Sequence, residues 1–490
     1  MKKLIVLLMV FSCAALIAED QIPFSKQPVE LNSGVISGSR SLDNVTFRQI
    51  VSIPDAQWLR VHFSDYNLGS KSYVKITSLK DHGVQTLDGK NLKMWHDASA
   101  YFNGSRVLVE LFASPQDVDV FIQCSEVSAG EKGGVNSRSI CGNTDDRKAS
   151  NDKRSGRLVP VGCTGWIIGN GYLTAGHCVD GHSVELLEFN VPASDPDGSI
   201  NHPAPQHQYP VLGTTEYKNG GQGNDWCTFK VGANSVTGLT PLQAQKSFFK
   251  IANDINPEQI RITGYGVDNM PRGSSGSRNK DSQTQQTHVG PFVQLSGGQT
   301  LRYSTDTTGG NSGSPVISET HQTTVGIHTH GGCGSWGGDN AGTSFKNPAL
   351  SKAVQLLTVN TIFVDNTHPS TVENGDIFHP YHSINNAIEK TQDKSIQVAP
   401  GVYTESLAIN KGIAINAITD VVVIGEVVEA NPTILNNAIS GNQEINTDVV
   451  QIGSDFRIQK GANIVINAKS ISFSSISIPD GASLTINIVK

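Results

Sequence analysis

Three short motifs, far apart in the chain, constrain its fold more than any other feature. Thr174-Ala175-Gly176-His177-Cys178 comes first, Gly223-Asn224-Asp225-Trp226 second, and Thr308-Gly309-Gly310-Asn311-Ser312-Gly313-Ser314-Pro315 last. A serine hydroxyl attacks a carbonyl only when a base takes its proton, a carboxylate orients the base, and donors hold the developing oxyanion. Ser312, His177 and Asp225 supply these residue types within one domain-sized segment. Glycines around Ser312 allow a sharp turn that brings two backbone N–H groups toward one point. Each motif alone has a bland reading, since Gly-Asn-Ser-Gly-Ser runs occur in ordinary loops and aspartate often opens a strand. The weight rests on their order and combination.

That order resembles the chymotrypsin clan, and Leu173–Cys178 is similar to the clan's histidine motif. The resemblance implies a double β-barrel over about 157–359. In it His177 is the base, Asp225 its orienter and Ser312 the nucleophile, with the N–H groups of Gly310 and Ser312 as the oxyanion hole. It implies a serine endopeptidase acting on polypeptide substrates and needing no cofactor. The rival reading is an adhesin or other binding protein on a protease scaffold.

The segment from Gly162 to about Lys352 resembles trypsin-like bacterial peptidases, particularly the glutamyl endopeptidase group. The resemblance implies that Thr307 and His328 line a primary pocket for the carboxylate of a Glu or Asp side chain, and a histidine that can carry charge suits that role. Asp306 stands where trypsin-type enzymes keep the aspartate that pairs with Lys or Arg, so a basic preference stays open. Gly331-Gly332-Cys333-Gly334 would form the pocket rim, its backbone pairing with substrate as an added strand. Cys333 after His330-Gly331-Gly332 also resembles lysyl endopeptidases, and that likeness implies Cys141 as its disulfide partner. No metal site is expected. His202 with His207, and His328 with His330, lack further ligands at convincing spacing, and Asp195-Pro196-Asp197 is only a weak calcium signal.

The net charge of -7 and the lack of any dense basic run argue against a nucleic-acid partner. Met1 to about Ala18 reads as a secretory signal, with Lys2 and Lys3 before an apolar run too short to span a bilayer. Val10-Phe11-Ser12-Cys13 gives a weaker lipoprotein reading. No other stretch is long and apolar enough for a membrane helix. The expected location is outside the cell, at its surface or in a periplasm. Removal of the signal leaves Cys124, Cys141, Cys163, Cys178, Cys227 and Cys333, an even number that suits disulfides in an exported chain. Cys163 and Cys178 flank the strand and turn leading to His177 and are the first pair to expect.

The expected architecture is mostly β. Residues 19–128 read as a β-sandwich, a prodomain or a retained accessory domain, from alternating runs such as Trp58–Phe63 and Arg106–Leu111. Residues 129–156 are polar and read as a linker. Their basic residues, with Arg157, make a candidate processing site for a zymogen. Ala349–Leu357 is the clearest helix. Residues 360–490 carry recurring short Ile- and Val-rich runs, with a short helix at Ser383–Ile388, and read as a parallel β-helix or solenoid. Ala399–Glu405 resembles the opening coil of pectate-lyase-like right-handed β-helices. A polysaccharide or cell-surface ligand is the partner such a tail suggests, while its scattered carboxylates do not suggest a lyase.

Overall fold

The computed structural model describes residues 22–36, 44–132, 138–268, 279–391, 395–428 and 430–489. The signal reading therefore lies outside the described residues. Three β-rich units follow one another, and apolar packing runs across both junctions.

The first unit is a sandwich of two four-stranded antiparallel sheets. One joins Phe24–Asn32, Phe121–Gly130, Trp58–Asn67 and Phe102–Asn103; the other joins Val45–Ser52, Arg106–Phe112, Tyr73–Ser78 and Val84–Asp88. Tyr73–Ser78 and Val84–Asp88 alternate buried and more exposed positions, as a strand with one face on a core should. Trp58–Val61 does not alternate, because all four residues are buried. The face expected to meet water is covered by the second unit. Arg60 is 1% exposed there and pairs with Glu185, while the Tyr101 ring stacks on His202 at 4.6 Å.

The second unit begins earlier than its composition suggests. Residues 129–156, expected to be a linker, contribute short strand segments to the folded units, among the described residues. Ala129 and Gly130 end a sandwich strand, Arg138–Ser139 pairs with Thr307–Thr308, and Lys148–Ala149 pairs with Gln286–Thr287. Two of its polar side chains, Ser139 and Arg147, are buried among partners. The Arg147 guanidinium binds Asp145, Asp268 and Thr308. Arg147 and Arg157 are buried in ion pairs, which corrects their reading as accessible processing sites.

Two barrels follow. The first closes through Ser155–Pro160, Thr164–Ile168, Gly171–Thr174, Asp225–Val231, Gln208–Asn219 and Val184–Glu188. The second runs Gln286–Ser296, Gln259–Gly264, Pro315–Ser318, Thr323–His330, Asn340–Ser344 and Thr300–Tyr303, whose pairing with Gln286–Ser296 closes it. This is the chymotrypsin-like double barrel that the motif order implied. The expected helix spans Pro348–Leu356. Asn347 caps it by accepting from the N–H groups of Ala349 and Leu350, and it buries Leu350, Ala353 and Val354.

The third unit is a solenoid. Phe363, Ile377, Phe378, Ala399 and Ile418 share one apolar cluster with Trp166, Phe249 and Phe345 of the barrels. Lys250 pairs with Asp365 at 2.8 Å across the same junction. Within each half of the solenoid the strands stack in parallel, as expected. Between the halves they do not. The last coil runs antiparallel to the earlier one, pairing Ile413–Ala417 with Ser475–Ile478, Val422–Gly425 with Ser470–Phe473, and Leu407–Ile409 with Ser483–Ile488. After Gly425 the chain passes to the far end, at Thr433, and winds back toward this seam.

Candidate active site

His177 sits on the turn after strand Gly171–Thr174. Gly176 lets that turn press against the Lys218 carbonyl, where a side chain would collide. Asp225 is the first residue of its strand and is fully buried. Its Oδ1 accepts from the N–H groups of Gly176 and His177 at 2.6 and 3.0 Å, and its Oδ2 lies 2.5 Å from His177 Nδ1. Thr343 fixes the strand end by exchanging hydrogen bonds with the Asp225 N–H and carbonyl. The carboxylate thus holds both the imidazole and the loop that carries it.

Ser312 lies between Gly310 (φ 91°) and Gly313 (φ 87°), both in the left-handed region that favours glycine. A Cβ on Gly313 would collide with Thr164 O and Thr174 Oγ1, so the serine turn packs directly against the strand leading to His177. The turn is pinned on several sides. Thr164 N–H donates to Ser312 O, Trp166 Nε1 donates to Gly313 O, and Gly313 N–H donates to His328 O, at 2.8 to 2.9 Å. The N–H groups of Asn311 and Ser314 donate to Thr308 O and Asn311 O. Among the described residues, those of Gly310 and Ser312 have no protein acceptor. Ser312 is part exposed in the cleft.

His328 lies beside the serine turn, where its carbonyl accepts from Gly313 N–H at 2.8 Å. His328 Nδ1 meets the Tyr303 hydroxyl at 2.6 Å, leaving Nε2 as its other polar atom. Burial pushes His328 down to about 3, with His330 and His177 adding to the shift. Thr307 Oγ1 accepts from Asn340 Nδ2 at 3.0 Å. Gly331 lies against Ser139. Asp306 is engaged elsewhere. Its Oδ1 accepts from Cys141 N–H at 2.7 Å and its Oδ2 from Asp146 N–H at 2.8 Å. The expectation that Asp306 could bind a Lys or Arg side chain is corrected by this arrangement, because both oxygens anchor the incoming segment.

Disulfides join Cys163 to Cys178 and Cys141 to Cys333. The first braces the histidine turn. The second clamps the 138–149 segment to the loop after Gly331. Cys124 and Cys227 are buried free thiols. Sequence reasoning missed Asn340, which also donates to Thr305 O at 2.6 Å and accepts from the N–H groups of Gly332 and Cys333. It also set His330 aside. Yet His330 Nδ1 lies 4.0 Å from Asp225 Oδ2, and its ring centroid lies 6.1 Å from that of His177. Pairs of histidines two apart on a strand share a face, which was the available signal.

Residues 163–327 match the family model of a trypsin-like peptidase domain. The match takes in His177, Asp225 and Ser312. A curated relative, the extracellular metalloprotease of Bacillus subtilis (strain 168), is 29% identical over 181 residues, or 35% of this chain and 51% of that protein. The chain therefore spans about half the length of that relative. Similar solved structures include the thermostable serine protease AL20 from an extremophilic microorganism, at 15% identity with a TM-score of 0.30 over 40% of this chain and 92% of that one. Another is protease Anisep from Arthrobacter nicotinovorans, at 14% identity with a TM-score of 0.30 over the same shares.

The relative's name implies a metal, and among the described residues the donor groups near the cleft do not fit one. Cys163 and Cys178 approach His177, but their sulfurs are bonded to each other. Asp306 approaches Asp146 and His288, but both its oxygens already accept backbone hydrogen bonds. Among the described residues, no helix is long and apolar enough to cross a membrane.

Proposed function

We propose that this chain is a secreted serine endopeptidase that cuts after acidic residues. The observation that carries the reading is the Asp225–His177 contact, with Nδ1 held at 2.5 Å by a buried carboxylate that two N–H groups fix in place. A proton on Nδ1 leaves Nε2 as the base. Ser312 Oγ then attacks the scissile carbonyl as Nε2 takes its proton. The oxyanion is held by the N–H groups of Gly310 and Ser312, and the imidazolium protonates the departing amine. Water, deprotonated by the same nitrogen, hydrolyses the acyl-enzyme.

The acidic preference rests on His328 and Thr307. Tyr303 occupies Nδ1, so Nε2 is the atom for a substrate carboxylate, and the Thr307 hydroxyl proton is free to donate because Asn340 uses the oxygen as acceptor. An entering carboxylate would favour protonation of His328 and so strengthen its own binding. Export is supported by the two disulfides and by the name of the extracellular relative. A zymogen would be cut at or before Arg138, since beyond it the chain is paired to the second barrel. The sandwich would stay docked after such a cut, held by its buried contacts with the first barrel.

The test is a digest of a mixed peptide library by the wild-type chain beside a Ser312→Ala control, with the cut ends sequenced. Ser312-dependent cuts after Glu or Asp are expected. Cuts after Lys or Arg would reject the pocket assignment. No Ser312-dependent cuts by intact or processed protein would reject the enzyme.

A further inference from the structure

The solenoid ends in an open coil far from the barrels. Thr433–Leu435, Ala438–Ile439 and Asn442–Asn446 each pair with a strand on one side alone, among the described residues. Their other edges present backbone donors and acceptors to solvent. Leu435, Ile439 and Ile445 stack on Ile452, Ile458 and Ile466, which are 0–5% exposed. The three end-coil residues continue those inward columns but are only partly buried. A cross-section of the solenoid core is thus left uncovered. Repeat proteins ordinarily close such an end with a polar cap, and natural sheets guard an open edge with charge or proline. Here Pro432 stands before the first edge strand and Thr433 and Gln443 soften the face, but the other two edge strands hold no proline, and from Asn431 to Asn446 the one charged side chain is Glu444.

We infer that this open coil is a homodimer interface, in which the end coils of two copies abut through antiparallel strand pairing. The chain itself contains the precedent. At its internal seam, one coil of the solenoid meets another head to head, with all three strand pairs antiparallel and a continuous apolar core beneath. A two-fold axis across the open end imposes the same antiparallel relation between copies, since an isologous contact places each strand against a reversed partner strand. The near absence of charge removes the like-charge repulsion that would otherwise keep two identical surfaces apart. A single coil face is small beside the roughly 1,200–2,000 Å² of standard interfaces, so the association should be reversible and concentration-dependent. The inference does not rest on the peptidase reading.

The test uses the full chain carrying Ser312→Ala, to prevent self-digestion, in sedimentation velocity from about 1 to 100 μM. The weight-average mass should rise from that of one chain toward that of two. Ile434 is 64% exposed and Ala438 is also exposed, so Ile434→Lys and Ala438→Lys add edge charge without touching the core. Each should raise the dissociation constant about tenfold or more, with the melting temperature unchanged and, in the wild-type background, the peptidase rate unchanged. A wild-type mass that stays at one chain throughout overturns the inference, and so does a dimer that survives both substitutions.

Discussion

Replacing Asp225 by Asn tests the geometry at its tightest point. The amide can sit in two ways. With its oxygen toward Gly176 and His177, it keeps the two backbone hydrogen bonds at 2.6 and 3.0 Å and turns its NH2 toward His177 Nδ1. Turned over, it faces two N–H donors with another donor and leaves buried groups unsatisfied, at about 1–3 kcal/mol each. The first arrangement wins by a few kcal/mol. It forces His177 to accept at Nδ1 and carry its proton on Nε2, where Ser312 needs a base. The same change in a comparable triad lowers kcat by about 10⁴, or roughly 5.5 kcal/mol in the barrier. The expected outcome for Asp225→Asn is a loss of that order in kcat on a Glu-containing chromogenic peptide, with little change in KM or melting temperature. A loss under about tenfold in a folded variant would refute the tautomer argument.

His328→Gln should lower kcat/KM on Glu substrates by about two orders of magnitude while leaving the matched Gln substrate nearly unchanged, as paired assays would reveal. The same residue shapes the acid limb of stability. Its pKa falls from the ordinary 6.5 to about 3 on folding, so between those values the unfolded chain binds a proton that the folded chain refuses. Stability is therefore lost as pH drops from about 6.5 toward 3, and His328→Gln should flatten that limb in denaturant titrations at stepped pH. Glu188→Ala strands the fully buried Arg157 and should cost about 3–5 kcal/mol in urea unfolding. Chelation by EDTA should leave the peptidase rate unchanged, because the metal-like clusters use disulfide sulfurs and committed carboxylate oxygens. A loss restored by a divalent ion would contradict that.

What the sequence made legible was the part written locally. The histidine and serine motifs, the Asn347-capped helix and the Cys163–Cys178 pair each declare themselves within a few residues. What it hid depends on distant partners. The 138–149 segment looks like a linker because burial of Arg147 is visible only once Asp268 and Thr308 are beside it. Asp306 looks like a pocket anion until Cys141 and Asp146 bring N–H groups to it. Arg60 looks like an outward strand residue until the first barrel covers it with Glu185. The antiparallel seam of the solenoid leaves no trace in periodicity, because reversing a stack changes which strands meet and not how each strand alternates.

The central claim is that Ser312 is a nucleophile activated by His177 and Asp225. The most direct measurement is mass spectrometry of the full chain after exposure to a serine-directed phosphonate, beside the Ser312→Ala and Asp225→Asn variants. One adduct is expected, on Ser312, absent from Ser312→Ala and formed far more slowly in Asp225→Asn. An unlabelled Ser312 in folded protein, both intact and cut near Arg138, would contradict that claim.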